Sequence, residues 1–484
     1  MKETVIRAEA RLSLLWILGA LATATMAAPA ASQDAPFVLT HLGLELRLDY
    51  QRGTVAGTAV LGLRNGSDRP AAAIPLLLNR LMSVSRIGGA AGEIIPFRQD
   101  VAVFQDDSIR QVNAIVATLA RPVAPGDSLR IVVQYGGILV GYTETGSLYI
   151  KDRVSRDFTI LREDAYAFPV MALPSWKSRR AMVQQRFSFA ATITVPAGLV
   201  VAMGGTPGGT VQRDSLVSWT YRSSEPVPFL NITIAPYRVH QSGRARVFSL
   251  PADSTGGRLV GQAVDSAVER FTRWFGALGA RPHVVVMEIP EGFGSQADLA
   301  AGIIMTADAF RDRSQLRQLY HELSHLWNPP DLDRPSPRWN EGLASFLEWR
   351  MAAELDGWTG WDAQLERSVQ SLMRRCATPP RCDERPLLAF GEAGLTGRSY
   401  SVGMLMFYAL HELMGPDGFN RAYREFFQRY RTSGATTADL VAVFRRAEPR
   451  SDRVFNDWLL TTRWYGRLSA GDSLRRIVAG YRQP

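Results

Sequence analysis

The sequence predicts a multidomain α+β protein, in which an antiparallel β-rich domain over residues 33–238 precedes an α-rich domain over residues 239–484. The chain has 484 residues, of which 46% are hydrophobic, and this is enough to bury more than one core. The hydrophobic residues alternate with a period of two in the first part of the chain. In the second part they recur at spacings of three and four.

The first 32 residues have the composition of an export signal. Lys2, Arg7 and Arg11 precede an apolar run from Leu12 to Ala31, and Ala28-Pro29-Ala30 resembles a cleavage site. The run is also close to the roughly 20 residues that a membrane-spanning helix requires, so an uncleaved N-terminal anchor is the alternative. Both interpretations predict that the rest of the chain is exported, to the periplasm or out of the cell.

Alternating residues and turn sequences mark the β-rich part. In residues 42–48, leucines alternate with small or charged residues, as in a strand with one buried face. Further strands are predicted at 59–63, 129–135 and 187–195, with Asn-Gly, Pro-Gly-Asp and Pro-Ala-Gly turns close to their ends. These features are typical of antiparallel sheets.

Helical periodicity marks the second part. It is clear at 259–275 and 316–327, whereas Val284 to Glu288 predicts a buried strand. After Glu341 the chain is predicted to be almost wholly helical, with helices at 402–413, 419–430 and 437–446.

The charge does not predict a nucleic-acid partner. The formal net charge is +9, from 55 basic and 46 acidic residues, but the basic residues are spread along the chain. No zinc knuckle, basic helix or aromatic-basic repeat is present. We therefore interpret the basic residues as a solvated surface.

Two cysteines, Cys376 and Cys382, lie close together in the sequence. An oxidising compartment would favour a local disulfide between them, with free thiols as the alternative. Two cysteines at this spacing match no common zinc pattern, so a Cys-based metal site is not predicted.

The segment Tyr320 to Trp327 contains His-Glu-x-x-His within a helical pattern that ends at Asn328-Pro329-Pro330. Residues i and i+4 share one face of a helix, so His321 and His325 can bind the same zinc ion. Glu322 then lies beside the metal, where its carboxylate can accept a proton from water as the general base. The alternative is a pair of histidines on an ordinary core helix, which would need other partners for two imidazoles.

A zinc site of this kind needs a third protein ligand and leaves the fourth position to water. The segment Arg338 to Phe346 provides Glu341, in the first turn of a second predicted helix. Asp331 and Asp333 are alternatives, but they lie in a Pro-rich connection where their position is poorly fixed. An acidic residue at a helix start can also serve only to complement the helix dipole.

The sequence His-Glu-Leu-Ser-His-Leu-Trp, followed by Trp-Asn-Glu-Gly-Leu-Ala-Ser-Phe, resembles the gluzincin site of the aminopeptidase N family. The resemblance implies that His321, His325 and Glu341 bind one Zn²⁺ per chain and that Glu322 is the general base. It also implies a saddle-like β-sandwich domain and a thermolysin-like catalytic domain, without the large C-terminal helical domain of longer members. Only 15 residues separate His325 from Glu341, fewer than in the family, so this connection is expected to differ.

Two further positions match the family. It uses a tyrosine in a Tyr-x-x-Gly context to stabilise the oxyanion, and Tyr400-Ser401-Val402-Gly403 follows Glu341 by 59 residues. This makes Tyr400 the expected donor, with an ordinary core or interface tyrosine as the alternative. Glu348 lies two helical turns after Glu341 and matches an acidic position that orients a ligand imidazole, with a surface glutamate as the alternative.

The resemblance is weaker where aminopeptidases bind the free amine of the substrate. Their Gly-x-Met-Glu-Asn segment is replaced here by residues 292–304, which lack its glutamate. Gln296 or Asp298 are the candidates for binding an amine or a backbone group there, with an ordinary polar residue of a loop as the alternative for each. A second acidic position of the family corresponds to Glu163 or Asp164.

These observations predict zinc-dependent hydrolysis of peptide bonds by an aminopeptidase-like enzyme that acts on peptides outside the cytoplasm. The alternatives are an endopeptidase, a non-catalytic peptide-binding protein on the same scaffold, and a zinc hydrolase with non-peptide substrates. Peptides are the expected partners. Membrane association is expected only if the N-terminal segment is not cleaved, and the sequence does not predict an oligomeric state.

Overall fold

The computed structural model describes residues 35–183, 185–279, 283–333, 339–378, 381–389 and 396–483. The chain from Asp34 onward forms one compact unit. The export signal predicted over residues 1–32 lies outside the described residues. Within those residues, no helix is both long enough and apolar enough to cross a membrane.

The first part of this unit consists mostly of β-strands, which lie in three sheets of the described residues. The strands are β1 (Phe37–Asp49), β2 (Thr54–Asn65), β3 (Ala71–Asn79), β4 (Met82–Gly89), β5 (Phe97–Phe104), β6 (Asp107–Val123), β7 (Ser128–Ile138), β8 (Thr159–Arg162), β9 (Val170–Met171), β10 (Ser188–Pro196), β11 (Val200–Ala202), β12 (Thr206–Arg213), β13 (Leu216–Arg222) and β14 (Asn231–Ala235). A short helix, α1 (Trp176–Val183), lies between β9 and β10.

Apolar faces of these sheets enclose a common core. The strand orders are β12-β13-β10-β1-β2-β7-β4, β5-β6-β3-β9 and β11-β14-β8. Leu42, Leu44 and Leu46 of β1 are at most 2% exposed, as their alternation predicts. The pairing is antiparallel as predicted, except that β1 and β10 run parallel. Alternation shows which face of a strand is buried but not the direction of its partner, so this exception has no signal in the sequence.

The second part contains a five-stranded sheet and most of the helices. The sheet has the order β15-β16-β17-β19-β18, formed by β15 (Arg238–Gln241), β16 (Ala245–Ser249), β17 (Val284–Ile289), β18 (Gln296–Asp298) and β19 (Gly302–Thr306). The helices are α2 (Ser254–Phe275), α3 (Asp308–Arg311), α4 (Leu316–Ser324), α5 (Asn340–Leu355), α6 (Trp361–Cys376), α7 (Thr396–Tyr430), α8 (Thr437–Ala447), α9 (Ser451–Phe455), α10 (Arg463–Ser469) and α11 (Leu474–Tyr481). The helices and the sheet share a second core.

The predicted elements of this part are found, with two differences. The buried strand is β17, and the helix predicted at 316–327 is α4 followed by a 3-10 turn at His325–Trp327. The helices predicted at 402–413 and 419–430 are two halves of α7, which bends at Gly415. Gly415 has φ 70° and ψ 164°, a conformation that glycine adopts easily and that suits the residue before Pro416.

The structure confirms the predicted disulfide between Cys376 and Cys382. The fold class is also confirmed, since a β-rich part precedes an α-rich part. The domain boundary predicted at residues 238 and 239 stays a prediction, because both parts belong to the same compact unit.

Candidate active site

His321 projects from α4, and His325 from the 3-10 turn that follows it, toward an open cleft. The opposite face of α4 carries Leu316, Leu319 and Leu323, which are buried in the core of the α-rich part. Burial of these leucines directs the imidazoles away from the core. The ring centroids of His321 and His325 are 5.0 Å apart.

Glu341 meets both imidazoles from the first turn of α5. Its Oε2 lies 3.1 Å from Nε2 of His321 and 3.4 Å from Nε2 of His325. Atoms bonded tetrahedrally to one zinc ion, at about 2.0–2.1 Å each, lie roughly 3.3 Å from one another. The three side chains therefore fit a single zinc ion in both donor chemistry and spacing.

The alternative ligands do not join this group. Among the described residues, the cluster of side chains that could hold a metal consists of His321, His325 and Glu341, whose ligand atoms lie within 4.8 Å of one another. Asp333 instead accepts a hydrogen bond from the backbone N–H of Thr437, at 2.7 Å. Asp331 lines the cleft but is not a member of the cluster.

The three side chains interact strongly with one another. Burial lowers the pKa of His321, but hydrogen bonds to Glu341 and Glu348 outweigh this effect and raise the pKa to about 10. Burial raises the pKa of Glu341, but the two imidazoles hold it far below its usual value. In this arrangement Glu341 is a carboxylate, the form that binds metal ions.

Side chains behind the cluster orient the two imidazoles. Glu348, on the same helix as Glu341, lies 3.0 Å from Nδ1 of His321, so the contact predicted from its spacing is found. Arg317 in turn donates a hydrogen bond to Glu348 at 3.1 Å. The side-chain amide of Asn328 lies 3.0 Å from Nδ1 of His325. Contacts of this type fix which ring nitrogen faces a metal.

Arg317 and Asn328 were not identified from the sequence. Arg317 lies four residues before His321, and Asn328 three residues after His325, so helical spacing was a usable signal for both. Each is polar at a position next to a candidate ligand.

Glu322 and Tyr400 lie at the same cleft. Burial raises the pKa of Glu322 above its ordinary value, although the charges of the two imidazoles lower it. The ring of Tyr400 is nearly parallel to that of His321, with centroids 6.1 Å apart and an angle of 10° between the planes. Burial and the charges of Glu341 and Glu322 raise the pKa of Tyr400 above its usual value of 10, so the phenol keeps its proton.

The cleft itself has a volume of about 540 Å³ and runs between the two parts of the fold. Tyr400 lines the cleft and is 38% exposed. The edge strand β18 borders the cleft beside the histidines. The other residues that line the cleft are Arg186, Pro228, Phe229, Ser295, Asn328, Pro329, Pro330, Asp331, Leu332 and Asn340.

The candidates for binding a substrate amine are committed to other partners. Gln296 accepts a hydrogen bond from Asn231 at 3.0 Å and donates one to Asp164 at 3.1 Å. Asp298 accepts from the backbone N–H groups of Ala300 and Ala301 and pairs with a guanidinium, that of Arg186, at 3.1 Å. Both side chains line the cleft, but their polar atoms are already engaged with protein groups.

The acidic pair of the β-rich part is close to the same strand. Arg179 lies 3.6 Å from Glu163 and 3.7 Å from Asp164. Burial raises the pKa of Glu163 to about 7, despite the charge of Arg179. Asp164 is the one of the two that contacts Gln296. The structure therefore places Asp164, rather than Glu163, next to β18.

Solved structures with the same fold are M1 zinc metallopeptidases. One from Deinococcus radiodurans, a mutant bound to a Tyr-Ser-Ala substrate, has a TM-score of 0.63 and 19% sequence identity, and the match covers 88% of this chain and 94% of that chain. The structure titled simply as the M1 zinc metallopeptidase of this organism gives the same values. A two-domain M1 zinc metallopeptidase mutant bound to L-arginine gives a TM-score of 0.62 and 20% identity, covering 87% and 94%.

No protein-family model and no curated protein sequence matches this chain. The likeness to the solved structures is therefore one of fold. It agrees with the two-part architecture that the sequence predicts.

Proposed function

We propose that the protein is a zinc-dependent, aminopeptidase-like metallopeptidase that hydrolyses peptide bonds outside the cytoplasm. The observation that carries this proposal is the convergence of His321, His325 and Glu341 beside Glu322 in an open cleft. The shared fold adds support, because one of the similar structures is bound to a Tyr-Ser-Ala substrate. The predicted signal over residues 1–32 is the reason for proposing export.

The two imidazoles and Glu341 would hold one zinc ion per chain. Bound zinc would supply Lewis acidity, polarising the scissile carbonyl and lowering the pKa of a water molecule. Glu348 and Asn328 hold the imidazoles in orientation through their Nδ1 atoms. This leaves the Nε2 atoms, which face Glu341, for the metal.

Glu322 is the proposed general base. Its carboxylate accepts the proton of the attacking water and then passes it to the leaving amine. Burial raises its pKa toward the range in which a carboxylate can both accept and return a proton. The reaction thus needs one carboxylate that is not a ligand, and Glu322 is next to His321 in the sequence without belonging to the ligand cluster.

Tyr400 is the proposed oxyanion donor. Attack on the carbonyl places negative charge on its oxygen, and a protonated phenol can donate a hydrogen bond to that charge. The raised pKa of Tyr400 keeps the proton in place for this purpose. Its exposure to the cleft gives a bound peptide access to the hydroxyl.

An endopeptidase is the second candidate, and one observation favours it. Gln296 carries no carboxylate and is hydrogen-bonded to Asn231 and Asp164, and the carboxylate of Asp298 is already paired with Arg186, so neither offers a free carboxylate to a substrate ammonium. Asp164 is an acidic side chain that contacts β18 from the β-rich part. The preference for free or blocked N-termini is therefore the property that separates the two candidates.

A substrate screen tests the proposal. The purified protein is assayed with aminoacyl fluorogenic substrates, N-blocked peptides and small esters, each with and without a chelator. We expect chelator-sensitive release from the unblocked substrates, restored by added zinc. Cleavage of N-blocked peptides alone would indicate an endopeptidase, and turnover of esters alone another hydrolase. No chelator-sensitive turnover of any substrate would indicate a peptide-binding protein.

A further inference from the structure

The segment that carries Tyr400 is held by the end of another helix. Tyr400 lies in the second turn of α7, which begins at Thr396. The helix α6 ends at Cys376, and its last turn contacts this start of α7. Because Tyr400 is close to the first residue of α7, its position depends on what fixes that end of the helix.

Arg398 makes the central contact. Its side chain is only 9% exposed, and its Nη2 donates to the carbonyl oxygens of Arg375 and Thr378, each at 3.4 Å. The last carbonyl groups of a helix lack partners within the helix, so a guanidinium is a suitable cap for them. Arg398 thereby connects α7, two residues before Tyr400, to the C-terminal end of α6.

A second contact crosses in the opposite direction. Nη2 of Arg375, in the last turn of α6, donates to Oγ of Ser401 at 2.5 Å. Ser401 follows Tyr400 directly. The two arginines therefore bracket Tyr400, one acting from each helix.

The disulfide fixes the end of α6 that receives these contacts. Cys376 is the last residue of α6, adjacent to Arg375, and it is bonded to Cys382. Both cysteines are fully buried, in the same core as Val402 of α7. On the far side of the bond, the carbonyl of Asp383 accepts a hydrogen bond from Thr462 at 3.4 Å.

We propose that Arg398 and the Cys376–Cys382 disulfide together act as a positioning clamp for Tyr400. The clamp consists of the Arg398 contacts, the Arg375–Ser401 contact and the disulfide. Its effect on catalysis rests on the proposed function, but its effect on the start of α7 does not. The members of the clamp act through Tyr400, and none of them is placed at the reacting atoms.

The physical reason is that an oxyanion donor works only when its hydroxyl is held in place before the reaction. A displacement of about 1 Å is enough to lower a rate by roughly a hundredfold. The end of a helix frays when its contacts are removed, so release of the clamp raises the mobility of the Tyr400 ring. Substrate binding in the rest of the cleft should change little, because the cleft is lined mainly by other elements.

Hydrogen–deuterium exchange tests the clamp without any assay of activity. The full-length Arg398→Leu variant and the Cys376→Ser/Cys382→Ser double variant are compared with the unmodified protein. We expect the backbone amides of residues 399–403 to exchange at least about tenfold faster in both, with α4 unchanged. Arg398→Lys, which keeps a cation near the two carbonyls, should recover part of the protection. Unchanged exchange at residues 399–403 would overturn the proposal.

Arg367→Gln is the matched control for these variants. Arg367 lies on α6, the helix that ends at Cys376, where it is exposed and donates to Gln364. The substitution removes one arginine from α6 and leaves the Arg398 and Arg375 contacts between α6 and α7 in place. Exchange at residues 399–403 should stay as in the unmodified protein.

A kinetic cycle tests the link to Tyr400. Arg398→Leu should lower kcat about tenfold and change KM less than about twofold. In a Tyr400→Phe background the same substitution should have no further effect on kcat, because the group that it positions is gone. A full loss of kcat in both backgrounds would show a general structural role and overturn the proposal. If the unmodified protein hydrolyses nothing, the proposed function fails, and the exchange experiment still decides whether the clamp exists.

Discussion

Gly342 and Gly403 are in direct backbone contact where α5 crosses α7. A Cβ on Gly342 would lie 2.4 Å from the Cα of Gly403, and a Cβ on Gly403 would lie 2.7 Å from the Cα of Gly342. Glu341 immediately precedes one of these glycines, and Tyr400 lies one turn before the other. The two helices cross at glycines, which have no side chains, so their backbones can approach closely. This close crossing brings the candidate third ligand, Glu341, and the proposed oxyanion donor, Tyr400, to the same cleft.

This contact predicts that Gly403→Ala is destabilising and lowers activity. The added methyl group would meet backbone atoms, which cannot move aside as a side chain can, so α5 and α7 must separate. Overpacking of this kind typically costs about 1–3 kcal/mol. Urea unfolding measures the loss of stability, and the rate of peptide hydrolysis measures the loss of activity.

Gly466→Ala provides the control for this substitution. Gly466 is also in a helix, α10, but nothing lies within 4 Å of an added Cβ. Alanine there should be neutral or stabilising by up to about 1 kcal/mol. Equal stability of the Gly403→Ala variant and the unmodified protein would contradict the tight crossing.

Glu322→Gln is expected to keep zinc and abolish peptide hydrolysis. The amide is nearly isosteric, and Glu322 is outside the ligand cluster, so metal binding should survive. Loss of a general base lowers kcat by roughly 10²–10⁴-fold. Steady-state kinetics and metal analysis of the same preparation check both parts. Full activity in this variant would remove Glu322 from the mechanism.

Glu348→Ala is expected to weaken zinc binding without removing a ligand. Glu348 holds Nδ1 of His321 at 3.0 Å, and loss of such a contact typically costs 10–100-fold in metal affinity. Competition with a chromogenic chelator measures the dissociation constant. Glu366→Ala, an exposed glutamate on α6, is the control. An affinity equal to that of the control would show that Glu348 has no part in orienting the imidazole.

Glu288 is expected to make the protein less stable as the pH rises. It is fully buried on β17, where Oε2 accepts a hydrogen bond from the backbone N–H of Leu250 at 2.6 Å. Burial and a hydrogen bond with Asp253 raise its pKa from 4.5 to about 8. The stabilising contribution of this raised pKa is complete below pH 4.5. It is lost as the pH rises toward 8, with a slope of at most about 1.4 kcal/mol per pH unit.

Glu288→Gln isolates this contribution. Glutamine is always neutral and can still accept from Leu250 and donate to Asp253, so the free energy of unfolding should fall less steeply between pH 5 and about 8. Urea unfolding at several pH values gives the curves. Glu291→Gln, an exposed position just beyond β17, should reproduce the slope of the unmodified protein. If Glu288→Gln also reproduced that slope, Glu288 would be ionised in the folded protein at neutral pH.

The sequence by itself determined the local features of the structure, which depend only on residues close together in the chain. The spacing of His321 and His325 predicts a shared helical face because helix geometry is local, and the strand alternation predicts the buried face of β1 for the same reason. The short loop between Cys376 and Cys382 likewise predicts their bond. The fold class and the candidate ligands therefore followed from the sequence.

Only the tertiary structure decided how distant segments meet. It brought Glu341 to within 3.4 Å of both imidazoles. It also placed Asn231 beside Gln296 and Arg186 beside Asp298, and the sequence spacing of these residues does not predict either contact. The parallel pairing of β1 with β10 is likewise a contact between distant segments that only the tertiary structure decided. Such contacts depend on the packing of whole helices and sheets against one another, and residue periodicity carries no information about which surfaces those elements choose.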